Sequence, residues 1–215
     1  MVVKASISLD PFEDAFKDYA IKQLKKRLAV KSSSIKASVQ EKVQQAVKTL
    51  LIQSEAYNSL LGGKLQAELG VTESLQRITS IIDQWADNIS VTINTSGKYL
   101  LTMEIGVIQS DYEDVLSLPA ASYVYATSGQ DAGEIPWLRW LLLEGDKRII
   151  RKYSFSPVTR GSRTGLGIMV KNRVSGWQVP PEYSGTASDN FAIRALRDLD
   201  KKIDEIVEQV IKASL

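Results

Sequence analysis

The chain contains neither cysteine nor histidine. Together these absences exclude a disulfide framework, a thiol nucleophile, a cysteine or histidine metal site, a Ser-His triad and a histidine base. Carboxylate, lysine and tyrosine chemistry is what remains. The lack of cysteine leaves the compartment open, because a reducing cytosol and an assembly exposed to the outside both tolerate it. Long apolar runs are missing too. The longest, VKTLLI and WLRWLLL, fall well short of the roughly 18 residues of a membrane span, so a soluble protein with no membrane partner is expected. The opening MVVKASISLD alternates apolar and polar residues and shows no basic region leading into an apolar stretch, so no export is expected.

What is present is ordinary globular material. The 215 residues are 44% hydrophobic and 24% charged, enough for a sizeable core. Net charge is only +2, yet it is segmented along the chain. Residues 17–48 carry nine basic and two acidic side chains, 49–138 carry three basic and eleven acidic, and 139–173 again carry nine and two. A lone nucleic-acid patch would show a basic excess without the acidic block. Alternating blocks suit ring-forming contacts, in which one subunit's basic surface meets its neighbour's acidic one; solvated faces of both signs are the plainer alternative.

Periodicity predicts a short strand through Val3, Ala5, Ile7 and Leu9, and then a helix started by Asp10-Pro11 with Glu13 completing a capping box. Phe12, Phe16, Tyr19 and Leu28 would form its apolar stripe, Ser32 to Ser34 would interrupt it, and a second helix would run through Ile35, Val39, Val43, Val47 and Leu50. Short helices at 56–61 and 64–69 stop at Gly62-Gly63 and Gly70, and a longer one buries Leu75, Ile78, Ile81, Ile82 and Trp85. Ile89 to Ile93 and Tyr99 to Ile108 read as a hairpin with its turn at 94–97, followed by a helical turn at 111–116 and a short strand at 122–126. Pro136 and Gly145 bracket a helix that is apolar nearly all round, to be covered by the chain's own sheet or by a partner subunit. Paired strands at 148–155 and 166–171 follow, then irregular chain at 172–187 with Gly176, Pro180, Pro181 and Gly185. A last helix, capped by Ser188-Asp189, carries a heptad-like stripe of Ala192, Leu196, Leu199, Ile203, Ile206 and Val210. The expected fold is α+β: N-terminal helices, a small, mainly antiparallel sheet with long loops, and a C-terminal amphipathic helix. A single domain is expected over 1–215, with 1–54 its strand and helical N-terminal part and 155–188 a long loop or hairpin region.

Catalytic motifs do not assemble. The glycine-rich run at 161–167 lacks the Gly-Lys-Ser/Thr ending of a phosphate loop and fits a hairpin connector better. Asp111, Glu113 and Asp114 lack the spacing of a calcium loop, so a capped turn is the default. Glu182 and Asp189 flank a Tyr-Ser-Gly-Thr loop, but nothing in the sequence pushes their pKa values apart as an acid and a base require. No catalytic residue, cofactor or metal is assigned, and the chain is not expected to be an enzyme.

Contact chemistry is concentrated at 136–195. Three of the four tryptophans lie there, among arginines, lysines and glycine-rich loops, as in protein interfaces. The expected interface residues are Trp137, Arg139, Trp140, Arg160, Arg163, Lys171, Arg173, Trp177 and Tyr183. The peptides PWLRWLLLEGD, RTGLGIM and GWQVPPEYSGTASDNF, with the terminal amphipathic helix, resemble virion proteins of tailed bacteriophages, in the group of neck, head-to-tail connector and tail-completion proteins. The likeness is clearest over 135–196 and looser over 54–118, in SEAYNSLLGGKLQAELGV and SDYEDVL. It implies an α+β subunit of a closed ring on the axis where the DNA-filled head meets the tail, with no catalytic residues. The implied partners are further copies of the chain and portal or adaptor, connector, and tail-tube or sheath proteins. The ring would enclose the DNA passage without sequence-specific binding, within a virion assembled in the host cytoplasm. The alternative is a nucleic-acid-binding module using 17–48 and 139–173, with Lys22, Lys25, Lys26 and Arg27 or Arg160 and Arg163 on phosphate. An enzyme of lysis or tail penetration working through Glu182 ranks third.

Overall fold

The computed structural model describes residues 2–6, 14–94, 101–109, 111–125 and 133–214. Over these the fold is α+β, with every sheet antiparallel: one of three strands and two of two strands. The chain divides into two compact units. Unit 1 comprises Met1–Val47, Ala86–Gln109 and Asp198–Leu215, and unit 2 comprises Lys48–Trp85 and Ser110–Arg197.

Unit 1 is built on the three-stranded sheet. Strand β1 (Val2–Ser6) and strand β2 (Ser90–Asn94) flank β3 (Thr102–Gly106), with Val3 and Val91 both opposite Ile105. Side chains alternate across a strand, so Val91, Met103 and Ile105 share the buried face. Helix α1 runs from Asp14 to Ile52 and belongs to unit 1 as far as Val47. Its stripe of Leu28, Ile35, Val39, Val43 and Val47 is buried along its whole length. The interruption expected at Ser32 to Ser34 does not occur. Serine costs a helix only a few tenths of a kcal/mol, and Ser32 Oγ bonds back to the Ala29 carbonyl at 2.8 Å, a pattern a helix tolerates. Tyr19, expected in the stripe, is 64% exposed. The expected cap at Asp10-Pro11, Phe12, the Phe16 side chain and the turn residues 95–97 lie outside what is described.

The last helix also differs from expectation, because it is two helices. Helix α7 (Phe191–Ala195) belongs to unit 2, and α8 (Leu199–Ser214) belongs to unit 1, where it packs on β1. The buried face of α8 is Leu199, Ile203, Val207, Val210 and Ile211, while Ile206 is half-buried. Lys31 of α1 donates its ammonium to the Ser214 carbonyl at 2.5 Å, a cation at the carbonyl end of α8 where the helix dipole favours it.

Unit 2 joins short helices to two hairpins. Helix α2 (Glu55–Leu60) is capped by Ser54 Oγ, which accepts from the Tyr57 N–H, and α3 (Lys64–Leu69) ends at Gly70 in the left-handed conformation, φ 67°. Helix α4 (Ser74–Asp87) buries Ile78, Ile81, Ile82 and Trp85 as expected, but Leu75 is 59% exposed. Helix α5 (Glu113–Leu116) and a 3-10 turn (Pro119–Ala121) lead to β4 (Tyr123–Tyr125), which pairs with β5 (Gly133–Ile135). Helix α6 (Trp137–Leu143) is followed by the pair β6 (Ile150–Ser156) and β7 (Ile168–Trp177). Strand β7 runs six residues beyond its expected end at Lys171, into chain expected to be irregular.

The packing of unit 2 converges on Asn190, a fully buried polar side chain. Its Oδ1 accepts from the Ala192 and Ile193 N–H groups, which makes it the N-cap of α7 in place of Ser188 or Asp189. Its Nδ2 donates to Tyr112 Oη at 2.7 Å, to the Thr186 carbonyl at 3.0 Å and, more weakly, to the Leu142 carbonyl at 3.4 Å. Tyr112 in turn donates to the Ala187 carbonyl at 3.1 Å, and burial holds its pKa above the usual phenol value. Asn190→Ala removes a cap and leaves several buried groups unpaired, at a cost of roughly 2–4 kcal/mol. Urea unfolding followed by tryptophan fluorescence should show that loss, with Asn190→Asp recovering only the capping share; an unshifted midpoint for Asn190→Ala would contradict this assignment.

Candidate interaction surface

The predicted interface residues are distributed unevenly in unit 2. Trp137 is fully buried, and its indole N–H donates to the Ala120 carbonyl at 2.9 Å. Trp177 is buried at the end of β7, with its N–H on Glu68 Oε2 at 2.7 Å. Both rings are covered by their own unit and offer no surface to a partner. Trp140 is half-buried, its ring centred 6.1 Å from that of Trp177 at an interplanar angle of 57°. Arg139 is exposed, with Glu113 4.0 Å away, a pair of small energetic weight. Tyr183 lies apart from these in a second recess of ≈ 410 Å³, with Glu182, Phe191 and Arg194.

Arg163 also has an internal partner. Its Nη2 donates to Tyr123 Oη at 2.9 Å, its guanidinium carbon sits 4.9 Å over the Tyr123 ring, and Tyr123 donates to the Leu69 carbonyl at 2.8 Å. Gly70 makes room for this stack: a Cβ there would lie 3.0 Å from both Arg163 Nη2 and Tyr123 Oη. Arg160, Lys171 and Arg173 remain exposed, Arg160 in the β6–β7 connector and the other two on β7.

Trp140 and Arg163 line a common groove of ≈ 600 Å³ formed by α3, α6 and the β6–β7 ribbon. Its apolar lining includes Leu69, Ile135, Ile150, Tyr153, Phe155 and Met169. The pairing of Phe155 with Met169 and of Tyr153 with Lys171 puts these four side chains on one face of the ribbon. The sequence reading missed this lining, although the alternation of Tyr153 and Phe155 was a signal that one face of the strand is apolar. Above this face the ribbon is irregular. Lys152 has φ +63°, the register breaks between Arg151 and Tyr153, and on β7 the Val174 N–H bonds to Asn172 Oδ1 at 3.0 Å. Bulges of this kind re-aim side chains, and here Val174 is left 92% exposed, with Val170 at 42%.

The acidic candidates are held in ion pairs. Glu182 accepts from Lys64 Nζ at 2.7 Å and Asp189 accepts from Arg194 Nε at 2.8 Å, and these hydrogen bonds lower both carboxylate pKa values. The two shifts have the same direction, unlike those of an acid and a base set apart for catalysis. Asp111 Oδ1 caps its turn by accepting from the Glu113 N–H at 3.3 Å. Among the described residues no group of three or more acidic side chains is placed to hold a metal ion, and no helix is long and apolar enough to cross a membrane.

No protein-family model, curated protein or solved structure matches the chain.

The Glu182 pair gives a pH signature. With its folded pKa depressed, Glu182 contributes stability above the unfolded carboxyl value of about 4.3 and loses it as pH falls through the folded value. Glu182→Gln should make the dependence of the urea midpoint on pH shallower below about pH 5. Superimposable profiles for the two proteins would contradict the pair's role.

Proposed function

We propose that the chain is a structural virion protein of a tailed bacteriophage, forming a homo-oligomeric ring in the neck between head and tail in a connector or tail-completion role. It works through contacts with its own copies and with adjoining portal, adaptor, connector or tail proteins. The observation that carries this reading is the open apolar groove beside the exposed valines of the same ribbon. A knob and a groove on different parts of one surface make a heterologous contact, and such contacts close into rings when the rotation between copies permits. A second copy supplies the knob from its own ribbon: Val170 and Val174, flanked by Lys171 and Arg173. Trp140 is the tryptophan still accessible in the groove, beside Tyr153 and Phe155, and aromatic side chains in partly desolvated pockets carry much of an interface's energy.

The peptide likeness supports the same assignment. It covers Ile135, Trp140, Thr164, Gly167 and Met169, all residues of the groove wall. A stable contact buries about 800 Å² on each partner, so the valines supply its apolar centre and neighbouring loops the remainder.

Native mass spectrometry and electron microscopy of the purified chain, alone and added to portal-bearing heads that lack it, test the reading. Closed rings are expected for the wild type. Val170→Glu combined with Val174→Glu should leave mostly monomer with an unchanged far-ultraviolet circular dichroism spectrum, since both side chains face water. Rings that persist in the double variant, or a wild type that stays monomeric even on portal-bearing heads, would overturn it.

A further inference from the structure

Between Asp146 and Glu182 the chain contains eight basic residues and no acidic one. The structure gathers these residues onto and around the β6–β7 ribbon. Arg163 is stacked on Tyr123, whereas Lys147, Arg148, Arg151, Lys152, Arg160, Lys171 and Arg173 are exposed. Those seven have no ion-pair partner among the described residues.

The acidic block at 49–138 does not neutralise them. Among the described residues Asp83 pairs with Lys48 and Glu113 with Arg139, neither on the ribbon, and Glu68 meets the ribbon through the Trp177 N–H rather than through a cation. In the sequence that block weighs against a nucleic-acid partner, yet in the fold none of its described carboxylates pairs with the seven cations. Four of these like charges sit on the two strands and three flank them, on a sheet with no third strand among the described residues, and they repel one another. An anionic partner with regularly spaced charge relieves that repulsion.

We propose that the β6–β7 ribbon is a binding site for double-stranded nucleic acid that grips phosphates without reading bases. Three features favour a duplex over an acidic protein surface. Lysines, depleted at protein interfaces, supply three of the seven free cations. Ser154, Ser156, Thr159, Asn172 and Ser175 lie between them, and hydroxyl and amide side chains are the usual companions of Arg and Lys on phosphate. A two-stranded β-ribbon also has the width that a duplex major groove admits. The inference stands apart from ring formation: a monomer that grips a duplex keeps it.

The test is fluorescence anisotropy of the full chain with a labelled 30-base-pair duplex across a salt series. If about four of the seven cations engage phosphates at once, the logarithm of affinity falls with that of salt with a slope of about −3.6, or roughly 100-fold between 50 and 200 mM. Unlabelled duplex of unrelated sequence should compete equally well. Replacing Arg151, Lys171 and Arg173 by Ser and Lys152 by Asn, which accepts the left-handed backbone, should weaken binding at least tenfold at 50 mM salt. Lys22→Ser with Lys26→Ser on α1 should change it less than twofold. Should the quadruple variant misfold, Arg173→Ser alone should still reduce the slope by about one.

No retention of duplex at low salt would overturn the proposal. So would a quadruple variant that binds duplex unchanged but no longer self-associates, which would assign the cations to acidic protein, or equal binding to phosphatidylserine-containing vesicles, which would assign them to lipid.

Discussion

Unit 2 depends on one buried amide. Asn190 is shut off from solvent, so each of its donors and its acceptor must find a partner or cost stability. It finds them on Tyr112 before α5, on Leu142 at the end of α6, on Thr186 in the preceding loop and on the first turn of α7. Four separate stretches of chain are thereby held at one point. Gly145 and Gly185 permit the approach: the Gly145 N–H reaches the Gly185 carbonyl at 3.0 Å, and a Cβ on Gly185 would fall 2.8 Å from the Leu141 carbonyl. With the loop after β7 fixed, Val179 and Trp177 are buried, and the base of the ribbon is anchored through Trp177 to Glu68 and Trp140.

Exposure along the ribbon is greatest in its middle, with the far ends of both strands half-buried again. Strand β7 ends in the core at Trp177, while the bulge around Val174 and the connector at Arg160 meet solvent. One face, through Tyr153 and Phe155, supplies a wall of the groove and also carries Lys171, while the other cations lie elsewhere on and around the ribbon. A single hairpin therefore combines an apolar surface suited to another copy with a charged surface suited to phosphate. The proposed ring around a duplex would meet both demands together.

Part of this was legible in residue order. The glycine stops after α2 and α3, the four-residue spacing of Val39, Val43 and Val47, and the alternation in β2 and β3 are local signals, and local physics decided them. Other features depend on tertiary packing. Ser32 to Ser34 sit inside α1 because serine's weak preference against a helix is outweighed by the buried stripe on either side of it. Asn190 became the cap, in preference to the equally plausible Ser188 and Asp189, because only its position also reaches Tyr112 and Leu142. At the surface, residue type identified the right stretch but not the right side chains. Trp137, Trp140 and Trp177 look alike in sequence, whereas folding buries two and leaves the middle one open. The groove itself draws on α3, α6 and β6–β7, which are separated by up to a hundred positions, so no local pattern could announce it.

The central claim is that this chain is an assembly subunit whose apolar groove receives the ribbon valines of a neighbouring copy. High-resolution electron microscopy of intact particles tests it most directly. The account predicts a closed ring of this chain at the head–tail junction, with density for Val174 of each copy seated beside Trp140 of the next. A particle whose neck contains no copy of the chain, or a ring in which that groove opens onto solvent and Val174 touches nothing, would contradict it.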